Sequence, residues 1–327
     1  MFNNSFDFLD QINNFKIEKI CSTIESLNNN FNKNDEIILY VNIRILNANF
    51  NKLEILIESL LIKPFYIICT ETWQIKNSNF FEIQGYNMYY SEGELSIADG
   101  IVIYVRNDIN ETTEVIAVDK LKIIHTNITL NNSKSLQISS LYRSHQLPEI
   151  TFINSLKKFL NGNKNIKNHY IIGDFNINIL ETNMISQEFL NNFLELGFIP
   201  GFQMITRPSS EKTDKGTCID NIFFKTKSIE TSTYTLTNSI TDHYMLFAKI
   251  QKNSFQCKQV DNFKFIDYNK LKMIASKYNS SEILQKNNPN TVTDELINGI
   301  QFCIEESKCD NMKKNEKRKE KPGLLQL

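Results

Sequence analysis

The chain has 327 residues, 41% hydrophobic and 11% aromatic, with a formal net charge of −1 at pH 7. That apolar content suffices for a substantial core in one large domain with appendages. A charge so near zero excludes a global basic field, so a polyanion must be met by a local patch or by metal ions. The six cysteines include no Cys-x-x-Cys pair and no companion His cluster, which argues against structural zinc.

Residues 1–34 read as a helical or partly disordered leader. Its start is polar and carries Asp7 and Asp10, so secretion is not expected. Ile37–Val41 then reads as a buried strand ending at Asn42, and Phe50, Leu53, Leu56, Ile57, Leu60 and Leu61 recur at helical spacing up to Pro64. A second strand, Phe65–Cys69, ends at Thr70-Glu71-Thr72, and Cys69 reads as a small buried hydrophobe. Strands follow at Gly100–Val105, Lys122–Leu130 and Leu136–Leu141, the last ending at Tyr142-Arg143. Phe152, Ile153, Leu156, Phe159 and Leu160 mark a helix. Tyr170-Ile171-Ile172 is a strand, and Phe189, Phe193, Leu194 and Leu196 mark a helix stopped by Gly197. Ile219–Phe224 and Tyr244–Ile250 close the series.

Such an order predicts an α/β domain with mixed sheets over residues 35–250. Residues 251–327 read as a linker-like helical segment, with sparse faces at Leu271, Ile274 and Tyr278 and at Leu296, Ile297 and Ile300. A basic, disordered tail over Lys313–Lys321 is expected after it. No apolar stretch is long enough to span a membrane, so no membrane partner is expected.

Gly173-Asp174-Phe175-Asn176 is the most informative segment. Alternate positions after a strand aim Asp174 and Asn176 the same way, and the glycine lets backbone approach a ligand. A carboxylate beside a carboxamide makes a base and an orienter for water attacking phosphate; the same pair also suits a turn cap. Asn42, Glu71, Tyr142, Asp220 and Asp242-His243 likewise stand at strand ends. Buried carboxylates there are costly unless they surround a cation, and Glu, Asp and Asn oxygens suit Mg²⁺. A His beside acids suits acid–base work on a phosphate ester, with Asp220 holding its tautomer. Each has a plainer reading too: Asn42 as a turn cap, Glu71 as a solvated strand end, Tyr142 as packing, Asp242-His243 as an edge pair.

Taken in order, Asn42, Thr70-Glu71-Thr72-Trp73, Tyr142-Arg143, Gly173-Asp174-Phe175-Asn176, Ile219-Asp220-Asn221-Ile222-Phe223 and Thr241-Asp242-His243 resemble the endonuclease/exonuclease/phosphatase superfamily. Val41-Asn42-Ile43-Arg44, Glu71-Thr72-Trp73 and Leu141-Tyr142-Arg143 resemble the endonuclease domain of non-LTR (LINE-type) retrotransposons more narrowly, over residues 36–250. The resemblance implies a four-layer α/β sandwich, two mixed β-sheets packed face to face and flanked by helices. It implies Mg²⁺-dependent hydrolysis of a DNA phosphodiester, with Mn²⁺ as the alternative ion, leaving a 3′-hydroxyl.

Carried over by position, Glu71 binds the metal with Asn42 beside it, and Asp242 sits near it. Asp174 activates water, Asn176 orients water and phosphate, and Tyr142 hydrogen-bonds the phosphate. His243 stabilises or protonates phosphate oxygens and Asp220 orients it. Arg143 and Thr206, the latter in Ile205-Thr206-Arg207-Pro208, are the candidates for DNA contact, and loops around Ser91-Glu92-Gly93 and Ser209–Gly216 are candidate DNA grips.

Thr241 stands where the family more usually has Ser, with the hydroxyl retained. The sequence carries no reverse-transcriptase domain, so a retrotransposon-derived fragment is expected. DNA is the expected partner, with no obligate protein partner evident. The nucleus is the expected location if genomic DNA is the substrate, and the cytoplasm otherwise. The alternatives are a phosphatase or phospholipid phosphodiesterase of the same superfamily, and an inactive DNA- or protein-binding relic.

Overall fold

The computed structural model describes residues 16–129, 135–209, 212–226, 229–251, 264–266, 268–277 and 289–310. The basic run Lys313–Lys321, Asp267 and Tyr278 lie outside the described residues. The chain forms two compact units, Met1–Lys258 and Gln259–Leu327. In chain order the first comprises β1 (Lys16–Cys21), α1 (Ile24–Asn28), β2 (Asp35–Asn42), α2 (Leu46–Ser59), β3 (Tyr66–Thr70), β4 (Tyr86–Glu92), β5 (Gly100–Arg106), β6 (Glu111–Val118), β7 (Leu121–Thr129), β8 (Ser135–Tyr142), α3 (Glu149–Gly162), β9 (His169–Asp174), α4 (Met184–Leu194), β10 (Ile199–Pro200), β11 (Arg207–Ser209), β12 (Lys212–Thr217), β13 (Asp220–Lys225), β14 (Thr231–Leu236) and β15 (Met245–Gln251). The second comprises β16 (Lys264–Ile266), α5 (Tyr268–Lys277), α6 (Pro289–Ser307) and β17 (Lys308–Asp310), with β16 antiparallel to β17. Among the described residues, no helix is long and apolar enough to cross a membrane.

Two large sheets carry the first unit. One runs β1-β14-β15-β2-β3-β5-β4, the other β10-β13-β9-β8-β7-β6. Both are mixed: β2/β3 and β8/β9 are parallel, while β15/β2 and β13/β9 are antiparallel. Side chains alternate across a strand, so each sheet buries two faces. Ile38 and Tyr40 of β2 share a buried cluster with Ile138 of β8, Tyr170 and Ile172 of β9, and Ile222 of β13. This cluster packs the two sheets together. The opposite parity of the first sheet, Ile37, Leu39 and Val41, packs on Leu53, Leu56 and Ile57 of α2. Ile171 and Phe223 of the second sheet pack on Phe152 and Phe159 of α3 and Phe189 and Phe193 of α4. Helices, sheet, sheet and helices make four layers, as the resemblance implied.

Several strands escaped the sequence reading. Residues 16–21, expected to belong to a helical or disordered leader, add a parallel edge strand beside β14. β14 itself is Thr-Ser-Thr-Tyr-Thr-Leu, too hydroxyl-rich to read as core although all six residues are buried. β6, Glu-Thr-Thr-Glu-Val-Ile-Ala-Val, forms the edge of the second sheet, with none of its residues fully buried. Residues 209–216, read as a flexible loop, belong largely to an antiparallel hairpin of β11 and β12.

Gly173 has a different cause from the one expected. A Cβ there would stand 1.8 Å from the Leu141 carbonyl oxygen, so the glycine lets β9 lie against β8. It serves strand packing, not ligand approach.

Candidate active site

The parity that packs the two sheets also builds the site. Asn42 continues the inward series Ile38, Tyr40; Asp174 continues Tyr170, Ile172; Asp220 precedes Ile222 and Phe224; Tyr142 follows Ile138. The polar residues therefore gather at one rim of the layer between the sheets. In register, Asp174 faces Asp220 on one side and Tyr142 on the other. Two like charges opposite each other on neighbouring strands repel unless a cation stands between them.

His243 is that cation. Its Nδ1 lies 2.8 Å from Asp220 Oδ2, and both side chains are buried. Burial alone lowers its pKa, but the Asp220 carboxylate, by charge and hydrogen bond, overrides this and lifts the imidazole to about 9. Tyr40 OH donates to Asp220 Oδ1 at 2.6 Å and Thr206 Oγ1 donates to Oδ2 at 2.9 Å. Asp220 is thus fixed on both oxygens and holds the proton on Nδ1, with Nε2 turned toward Asn42.

Asn42 ties the sheets together across this rim. Its Nδ2 donates to Glu71 Oε1 at 2.9 Å and to Asp174 Oδ2 at 3.0 Å, and lies 3.5 Å from His243 Nε2. Glu71 adopts φ 53°, a left-handed turn at the end of β3 that sends its carboxylate to the site. Thr241 Oγ1 donates to the Asn42 carbonyl at 2.7 Å and accepts from His243 N at 3.3 Å, so this hydroxyl joins two site residues. Ligand atoms of Glu71, Asp174 and His243 all lie within 4.8 Å of one another.

Asp174 is fully buried. Burial, then the Asp220 carboxylate, push its carboxyl well above the usual range; His243 opposes them and Glu71 adds to the rise. Its Oδ1 accepts from Asn176 N at 2.9 Å, which is the turn cap weighed from sequence, while Oδ2 faces the site. Cap and site residue are therefore one group with two oxygens. Asn176, at φ 50°, donates Nδ2 to the Arg143 carbonyl at 2.7 Å. Burial, with the charges of Asp174 and Glu71, raises the Tyr142 phenol, so its hydroxyl keeps its proton.

A divalent cation fits this donor set. Asn42 Oδ1 is buried and has no hydrogen-bond partner, beside the carboxylates of Glu71 and Asp174. An unsatisfied carbonyl-type oxygen next to two carboxylates is what a hard cation with oxygen ligands would satisfy.

Three expected residues stand elsewhere. Arg143 is buried and spends its guanidinium on the carbonyls of Phe175 (2.7 Å), Leu147 (2.7 Å) and Asn176 (2.6 Å), so it braces the turn after Asp174. Thr206 is fully buried on Asp220 and likewise supports the site instead of facing DNA. Asp242 is held by Arg44 at 3.1 Å and by Arg207 at 3.2 and 3.0 Å, and is not part of the Glu71–Asp174–His243 cluster. Tyr40 was missed. Its only signal was its place two residues before Asn42, on the same face of β2.

No family model matches the chain and no curated protein matches it. Solved structures do. The endonuclease domain of TRAS1, a telomere-specific non-LTR retrotransposon, is 15% identical with TM-score 0.52, covering 67% of this chain and 99% of that one. The Xenopus laevis APE2 catalytic domain is 16% identical with TM-score 0.51, covering 68% and 92%. An endonuclease/exonuclease/phosphatase protein from Bacteroides vulgatus is 14% identical with TM-score 0.51, covering 67% and 99%. The chain thus has the endonuclease/exonuclease/phosphatase fold.

Proposed function

We propose that this chain is a metal-dependent phosphodiesterase that nicks DNA and leaves a 3′-hydroxyl. One observation carries the reading: Asn42 Nδ2 bridges the Glu71 and Asp174 carboxylates, Asn42 Oδ1 is buried without a hydrogen-bond partner, and the His243 ring held by Asp220 stands beside them. Glu71 and Asn42 would hold Mg²⁺ or Mn²⁺, which supplies Lewis-acid polarisation of a phosphoryl oxygen.

Asp174 accepts a proton from the attacking water at Oδ2, the oxygen not used by the Asn176 turn. Asn176 orients that water. His243 donates a hydrogen bond from Nε2 to the oxygens that gain charge as the water oxygen bonds phosphorus and the P–O3′ bond breaks, the leaving 3′-oxygen taking its proton from solvent, and Asp220 keeps Nδ1 protonated throughout. Tyr142 donates its phenolic proton to a non-bridging oxygen.

The ordered motifs and the likeness to the TRAS1 domain support a retrotransposon-derived nuclease, acting in the nucleus on genomic DNA. The test is a substrate panel: supercoiled plasmid with Mg²⁺, with chelator, and inositol phosphates and sphingomyelin with Mg²⁺. Nicking with Mg²⁺ alone, with ends that a polymerase extends, is expected. Hydrolysis of the lipid or inositol substrates without nicking overturns the reading.

A further inference from the structure

We propose that Arg44 and Arg207 form a second phosphate site at the lip of the active site, which takes a neighbouring phosphate of a polynucleotide strand. The inference rests on the phosphodiesterase reading above and names what that site recognises beyond the bond it cuts.

Each arginine is tied by the chain to a member of the site. Arg44 lies two residues past Asn42, and Arg207 directly follows Thr206, whose hydroxyl holds Asp220. Both reach Asp242, the residue before His243: Arg44 at 3.1 Å on Oδ1, Arg207 at 3.2 and 3.0 Å on Oδ2. The side chains of Arg44, Arg207 and Asp242 are 59%, 38% and 35% exposed.

The Arg44 turn is built, not incidental. Arg44 has φ 39° and Ile45 φ 73°, two successive non-glycine residues in the left-handed region. Each costs roughly 1–2 kcal/mol and persists only where neighbours over-determine it. Here Ile43 N, Ile45 N and Leu46 N donate to the carbonyls of Thr70 (3.0 Å), Glu71 (2.9 Å) and Thr72 (3.2 Å). The backbone that turns Glu71 inward is the same backbone that turns Arg44 toward Asp242.

Two guanidinium groups share one carboxylate, so the trio keeps one excess positive charge at a solvent-facing lip. Exposed ion pairs are worth about 1 kcal/mol or less, so Asp242 aims the two forks without holding them against a competing anion. A phosphate offers several oxygens to two planar forks, the geometry arginine suits best. Arg143, the arginine singled out from sequence, has its nitrogens committed to carbonyls and cannot do this. The Tyr142 side of the site has the opposite character. The end of β4 and the loop after it bring Glu92, Glu94 and Asp99 to a recess with Tyr142, set against Lys120 and Lys122, and Lys122 is tied to Glu94 at 2.8 Å, which leaves one excess negative charge. Of the two sides, the Arg44–Arg207 lip is the one with excess positive charge for a polyanionic strand.

The test compares the wild-type chain with Arg44→Gln/Arg207→Gln and Arg44→Lys/Arg207→Lys. In chelator, a fluorescein-labelled oligonucleotide duplex is titrated by anisotropy over a range of salt. One phosphate contact adds about 0.9 to the slope of log Kd against log salt. The Gln variant is expected to raise Kd at least tenfold and lower that slope by about one, and the Lys variant to retain the slope. With Mg²⁺, the same proteins hydrolyse the oligonucleotide and bis(p-nitrophenyl) phosphate, a diester with no second phosphate. The ratio of kcat/KM on oligonucleotide to that on the small diester is expected to fall at least tenfold in the Gln variant. An unchanged Kd and slope, or equal losses on both substrates, overturns the second site while leaving the phosphodiesterase reading intact. Failure of the wild-type protein on both substrates overturns both.

Discussion

Replacing Asp220 by Asn removes a charge from the centre of the site with little change of shape, and its effect on stability has a defined pH signature. In the metal-free fold His243 is lifted from its ordinary 6.5 to about 9, burial being overridden by the Asp220 carboxylate. At about 1.36 kcal/mol per pK unit this rise is worth roughly 3 kcal/mol. A raised folded-state pKa means that the native protein binds more protons than the unfolded chain between these two values. The stabilisation is complete below pH 6.5 and is lost as pH climbs through 9. Asp174 is also raised, with Asp220 among the causes, so relief of Asp174 in the variant changes the comparison in the same direction. Urea unfolding in chelator, from pH 6 to 9.5, measures the difference between wild type and Asp220→Asn, which cancels titrations common to both. The difference is expected to be largest at pH 6 and to shrink by about 3 kcal/mol by pH 9.5. A difference constant to within about 0.5 kcal/mol refutes the buried ion pair and the His243 role built on it.

Gly173→Ala puts a methyl 1.8 Å from the Leu141 carbonyl oxygen and should destabilise by about 3 kcal/mol or more, read as a lower urea midpoint. Arg143→Lys keeps the charge but can serve only part of three buried carbonyls; a loss of roughly 3 kcal/mol and a lower kcat are expected, since the Asp174 turn loosens. His169 is fully buried in β9, packed on Phe159 and Phe198, with Nε2 2.8 Å from Ser139 Oγ. Burial, with the nearby His125 and Lys225 charges, holds its pKa well below 6.5. The unfolded chain therefore takes up the proton first, and stability falls as pH drops below 6.5. From pH 6.5 to 5 the loss is up to about 2 kcal/mol, and His169→Gln should remove most of that slope in urea unfolding.

Sequence pattern carried the central strands and the residues at their ends because two periodicities coincide there. The alternation that marks Tyr170 and Ile172 as core is the alternation that brings Asp174 to the rim, and the same holds for Tyr40 and Asn42. Strands toward the sheet margins carried no such signal. β6 and β14 are rich in Thr and Glu or Ser, and their place is set by pairing partners distant in the chain. The contacts of the arginines are hidden in the sequence for a related reason. Arg143 sits in a motif, but whether a guanidinium meets a carbonyl or the solvent depends on the Phe175–Asn176 turn folding back over it. Arg44 and Arg207 become visible as a pair only when Asp242 joins segments more than 150 residues apart.

Nicking of supercoiled plasmid by the purified chain, with Mg²⁺, beside Asp174→Ala and His243→Ala measured at matched folded fraction, bears most directly on the mechanism. Loss of the proton acceptor or of the imidazolium is expected to lower the nicking rate by at least a hundredfold, an order of magnitude in line with single acid–base groups at about 10² to 10⁴. Equal nicking by wild type and both variants would contradict the assignment of Asp174 and His243.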